Sequence, residues 1–273
     1  MRLSFQLSAL AVAVGLFIGT IPMAAFADDN QSNEKPTIVL VHGAWAGPSS
    51  WDSVVHRLRD DGFRTVTPTL GLTSLPGDVA TVDAVLNQTH GKKVLVGHSY
   101  GGAVISGASS GRSDVSALVY SAAFVPDAGD SLQGLGTGFN PSGVIAHLVW
   151  TGTPFAFGSL AVIDPAFFLQ FFAQDLPGPQ AAALDAAQRP IAFLPVFVTP
   201  SGPVGWHATP SWYQVSGADR MIDPAEERFM AAHAGATTIE FPTASHVGGI
   251  TVYSKQFTRL IERAVEATAE TEQ

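Results

Sequence analysis

The chain has 273 residues, no cysteine and a formal net charge of −9 at neutral pH. Without thiols it has no disulfide framework, no cysteine nucleophile and no Cys-ligated metal. The acidic balance argues against nucleic acid and anionic membrane surfaces as partners, and the length suits one domain with a sizeable core.

In chain order, Arg2, the apolar stretch Leu7 to Ile21 and Ala25-Phe26-Ala27 ahead of Asp28-Asp29 predict a signal peptide over residues 1–27. The run is interrupted by Gly15, Gly19 and Pro22 and is short for a bilayer span, so a secreted protein, periplasmic or extracellular, is expected after cleavage. A polar lead-in follows over 28–36. One domain is expected from 37 to 273.

Thr37 to Val41 is a continuous apolar run, as expected of a strand covered on both faces. A helix is predicted from Ser50 to Asp61, with Ser49 or Ser50 as N-cap and Gly62 as its stop. Phe63 to Thr67 predicts a second strand, Val79 to His90 a helix and Val94 to Val96 a third strand. Further strands are expected at Val115 to Ser121, Trp212 to Ser216 and Thr238 to Phe241, with helices at Pro224 to Ala234 and Val252 to Ala269. Strands alternating with helices imply a mostly parallel sheet of about six strands, covered on both faces.

The stretch from about 124 to 206 breaks that alternation. Nine of the chain's seventeen phenylalanines lie between Phe139 and Phe197, with only Asp164, Asp175, Asp185 and Arg189 as charged residues. Two short helices are expected there, at Pro165 to Gln174 and Pro179 to Gln188. So apolar an insertion must bury itself, and it emerges where ligands bind in open α/β sheets. We therefore expect a cap over the site. Phe155, Phe168 and Trp206 are its expected substrate-binding residues, together with Trp45.

Gly97-His98-Ser99-Tyr100-Gly101 stands between the third strand and a small-residue helix. A G-x-S-x-G turn in that setting lifts the serine hydroxyl above the sheet edge and aims N–H groups of the new helix at the same place. Ser99 is thus a candidate nucleophile, and the Tyr100 N–H a candidate oxyanion donor. The second donor is expected from the loop after the first strand, where Ala44 is the candidate; His42 is expected to brace that loop.

A serine hydroxyl needs a base, and the base needs an orienting carboxylate. His246 follows the last predicted strand in a Ser-His-Val-Gly-Gly turn and is the expected base. Asp219 and Asp223 both follow the fifth strand. Asp223 precedes Pro224 and reads as a helix N-cap, which leaves Asp219 as the favoured acid. Asp127 is more remote. Neither a metal nor any other cofactor is expected: there is no His-x-x-x-His face, and the run Gly134 to Gly138 lacks the strand and lysine of a P-loop.

With these residues in place, the chain resembles the α/β-hydrolase superfamily, most closely its small esterase-like members. Val41-His42-Gly43-Ala44-Trp45, Gly97-His98-Ser99-Tyr100-Gly101-Gly102, Asp219 to Pro224 and Ser245-His246 carry the likeness. It implies the order nucleophile, acid, base as Ser99, Asp219, His246. The Phe-rich insertion points to a small hydrophobic ester or lactone, cleaved through an acyl-enzyme. The alternatives are another reaction on the same fold (amide hydrolysis, acyl transfer or hydroxynitrile-type lyase chemistry) and a non-catalytic ligand-binding module. The family's usual N-terminal antiparallel strand pair has no room between Ala27 and Thr37, so a shortened six-stranded sheet is expected.

Overall fold

The computed structural model describes residues 34–270. The expected signal peptide and residues 28–33 of the lead-in lie outside the described residues.

The chain begins with β1 (Thr37–Val41), buried at every position. A single 3-10 turn at Pro48–Trp51 then leads into α1 (Asp52–Asp60), whose Val54, Val55 and Leu58 face inward. β2 (Thr65–Val66) is followed by α2 (Leu75–Gln88), β3 (Lys93–His98), α3 (Tyr100–Ala108) and β4 (Val115–Ser121). The insertion carries α4 (Leu132–Leu135), β5 (Leu148–Thr151), β6 (Leu160–Ile163), α5 (Pro165–Phe172), α6 (Gly178–Ala186), β7 (Ile191–Ala192) and α7 (Phe193–Phe197). β8 (Ser211–Ser216), α8 (Pro224–His233), β9 (Thr237–Phe241) and α9 (Ser254–Glu270) complete the alternation.

The main sheet has the order β2-β1-β3-β4-β8-β9, and every pairing is parallel. β3 and β4 are apolar on both faces because helices cover both, as parallel sheets require. Strand addition runs outward from β1 to β2 and then returns to β3 on the other side. That reversal leaves a crevice beyond the carboxyl ends of β1 and β3.

The expected elements are present, with instructive differences at their edges. Ser49 and Ser50 do not cap α1. Its start is displaced by the 3-10 turn, which begins after Gly47, and the Ser50 hydroxyl instead donates to the Gly47 carbonyl at 2.8 Å. α2 begins earlier than expected, at Leu75, because the Ser74 hydroxyl accepts the Gly77 N–H and Pro76 sits in the first turn, where a missing N–H costs nothing. β2 shrinks to two residues at the sheet edge.

The larger difference lies in the insertion. Beside the two expected helices it forms an antiparallel sheet, β5-β6-β7, beyond the elements expected from the sequence. These strands are only two to four residues long, and β5 alternates half-buried with exposed positions. In so apolar a stretch, such short runs carry no readable period of two.

Candidate functional site

Five loops at the carboxyl ends of the main sheet converge on one cavity of about 440 Å³. The loop after β1 contributes Trp45, the turn after β3 contributes Ser99, and Phe124 comes from beyond β4. Met221 and Ile222 arrive from the loop after β8, and His246 from the loop after β9. The insertion supplies the far wall, with Leu132, Val144, Phe155, Phe193 and Phe197 among its apolar residues.

Ser99 sits between β3 and α3 with φ 54° and ψ −124°, a conformation that a serine adopts only when its surroundings enforce it. Close packing around the turn does so. A Cβ on Gly101 would overlap the Val41 carbonyl, and one on Gly97 would lie 2.7 Å from the Gly101 carbonyl oxygen. The loop after β1 also presses on the turn, since a Cβ on Gly43 would stand 2.8 Å from the Ser99 Cβ. Ala44 is thereby buried in that loop. Tyr100 opens α3, so its N–H has no partner within the helix. The Tyr100 side chain points away from the cavity, and its phenol donates to Asp78 Oδ2 at 2.8 Å.

On the opposite side, His246 Nδ1 donates to Asp219 Oδ2 at 2.6 Å, and both side chains are almost wholly buried. Asp219 Oδ1 accepts the N–H groups of Met221 (2.6 Å) and Ile222 (3.1 Å), so the carboxylate is held from two sides. This bond leaves Nε2 of the neutral imidazole as an acceptor. Asp223 takes the N-cap of α8, accepting the Ala225 N–H at 2.9 Å, and its other oxygen accepts from the Asn140 backbone and side chain. Asp127 lies elsewhere, between His207 Nε2 and His233 Nε2, each donating at 2.7 Å.

Three supports were not legible in the sequence. His98 Nε2 donates to the His246 carbonyl at 2.9 Å, and burial holds the His98 ring far below the usual histidine range, hence neutral. Asp175 Oδ2 accepts the Ser245 N–H at 2.9 Å, while Phe172 packs edge-on against His246 with centroids 5.2 Å apart. The end of α5 thus buttresses the His246 loop. Asp78 anchors the neighbouring wall by accepting from the Gly71 and Leu72 N–H groups as well as Tyr100. Apart from Gly71 and Leu72, which lie just ahead of Asp78 in the chain, these partners are distant in sequence, and only the fold brings them together.

His42 braces the first loop, donating from Nδ1 to the Gly43 carbonyl and accepting at Nε2 from the Leu70 N–H. Burial lowers its pKa from 6.5 to about 4, which agrees with a neutral ring in that double role. Of the expected substrate-binding aromatics, Trp45 and Phe155 line the cavity, both at positive φ. Phe168 and Trp206 do not. Phe168 faces the insertion's own core against Phe172, and the Trp206 indole donates to the Pro126 carbonyl and packs at a tilt against His207. Phe193 and Phe197 take the wall positions instead, because α7 follows directly from β7 and turns both rings inward. Among the described residues no cluster of histidine and carboxylate side chains has the arrangement of a metal site.

An esterase from Nocardioides sp. (strain SG-4G), named for hydrolysing carbendazim, is 39% identical over 110 residues, which are 36% of this chain and 46% of that protein. The chain therefore matches about half the length of this curated relative. Among solved structures, polyneuridine aldehyde esterase superposes with a TM-score of 0.73 at 18% identity, covering 85% of this chain and all of that one. A pyrethroid hydrolase from Sphingobium faniae gives 0.70 at 22% identity, over 86% and 99% of the two chains. The model of the alpha/beta hydrolase family matches residues 38–256, most of the length, in keeping with the sheet order and the turn at Ser99. The chain belongs to the alpha/beta hydrolase family.

Proposed function

We propose that this protein is an exported serine esterase that cleaves a hydrophobic carboxylic ester or lactone. The observation that carries the reading is the Asp219–His246 pair opening on the same cavity as the strained Ser99. Ser99 Oγ attacks the carbonyl carbon while His246 Nε2 takes its proton. Asp219 holds the ring through Nδ1 and stabilises the imidazolium that forms. The Ala44 and Tyr100 N–H groups stabilise the tetrahedral oxyanion. The intermediate collapses as His246 returns the proton to the leaving alcohol. Water, deprotonated by the same imidazole, then frees the acid from the acyl-serine.

The aromatic walls favour an apolar substrate body, and the relatives' names, esterase and hydrolase, favour the reaction class. Replacing Ser99 by alanine tests the assignment. Turnover of p-nitrophenyl esters is expected to fall by about a thousandfold or more, with the fold intact by circular dichroism. Retained turnover would refute it.

A further inference from the structure

An acidic side chain in the cavity wall has no part in the proposed chemistry. Glu226 lies in the first turn of α8 and is 4% exposed, yet it lines the cavity beside the apolar Met221 and Ile222. Its Oε1 is buried without a hydrogen-bond partner. Its other oxygen lies beneath the glycine-rich run after α4, where a Cβ on Gly136 would stand 3.6 Å from Oε2.

The fold does not need this carboxyl. Asp223 already caps α8, and the adjacent Glu227 supplies the acceptor that the Ser216 N–H requires. The helix dipole favours an acid in the first turn, but equally well if it faces solvent. A buried carboxyl oxygen without a donor is costly, and such a cost persists where a ligand relieves it. Burial first, then the charges of Asp223 and Asp219, raise the Glu226 carboxyl from 4.5 to about 7, consistent with an acid that has no donor of its own.

We propose that Glu226 is a specificity-determining residue that accepts a hydrogen bond from an N–H group on the substrate body. The inference rests on the reading of this cavity as the ester site. It predicts that the enzyme prefers esters whose aromatic or alicyclic body carries an N–H over counterparts with the same outline and no donor. A second cavity-facing group, the Ser142 hydroxyl, is also buried without a partner and offers the same ligand a further contact.

The test compares indolyl acetates with the benzofuranyl acetates of the same substitution, which differ by N–H against a ring oxygen. The native enzyme should show the higher kcat/KM on the indole members. E226L should lower the indole-to-benzofuran ratio by about tenfold, and E226Q, which keeps an acceptor oxygen, should retain part of it. Equal falls on both series, or a ratio unchanged in E226L, would overturn the proposal by leaving Glu226 a structural role. Calorimetric binding of the two series to the S99A variant reads the same preference without turnover. A native chain that cleaves neither series while S99A still prefers the indoles would sink the esterase reading and leave the recognition role standing. No preference in binding would sink the role itself. If E226L does not fold, the partial ratio of E226Q against the native protein decides the matter.

Discussion

Asp219 and Asp223 stand one helical turn apart in the sequence but divide two tasks between them. Asp223 serves the backbone of α8 and Asn140, while Asp219 serves His246. D219N should therefore lower kcat by about three to four powers of ten with little loss of fold, because an amide there favours the wrong imidazole tautomer. D223A should instead cost about 1 kcal/mol of stability, or more because Asn140 also loses its acceptor, as read by denaturant unfolding. The division was legible because Pro224 marks the cap from sequence alone. The positions of Ser99 and His246 at strand ends were legible for a similar reason, since turn glycines and an apolar strand announce them. His98, Asp175 and Glu226 were not, because their partners come from distant segments and nothing local sets them apart. Phe168 and Trp206 show the converse: an aromatic residue in an insertion advertises burial but not which core it joins.

At the scale of elements, the turn between β3 and α3 is set by backbone approach rather than by side-chain contacts. G101A places a methyl against the Val41 carbonyl, so β1 must separate from α3 or the turn must relax. We expect both a lowered Tm and loss of ester turnover, measured on the same purified sample. The insertion is coupled to the loops of the main sheet at several places. The Trp45 indole donates to the Ala161 carbonyl of β6, and the Arg189 N–H donates to the Trp45 carbonyl. At its other end, Phe172 supports the rings of His98 and His246. Phe172 is 2% exposed, so F172A should cost about 3–5 kcal/mol from lost burial and a residual cavity. It should also reduce kcat, because the His246 loop loses its stop. The helices α5 and α6 were legible from their proline starts, whereas β5 to β7 gain their pairing only from each other.

For the molecule as a whole, buried titratable groups press stability from opposite sides of the pH scale. Glu226 has a folded value of about 7 against 4.5 unfolded. The stability this carboxyl contributes is complete below pH 4.5 and lost as pH rises through about 7, a swing of roughly 3 kcal/mol. His42 runs the other way, from 6.5 unfolded to about 4 folded. Its contribution is complete above pH 6.5 and lost as pH falls through about 4. Unfolding free energies across a pH series should bend down on both sides. E226Q should flatten the rising-pH limb only, and an unchanged slope in that variant would assign the loss to other groups. The sheet itself has a different dependency. Trp51 stacks on Phe257 with centroids 6.2 Å apart, and α9 runs against β3, β4, β8 and α1. A nascent polypeptide leaving the ribosome thus keeps its central strands uncovered on one face until Ser254–Glu270 has emerged. A premature stop codon ahead of that helix should yield aggregate rather than a slow enzyme.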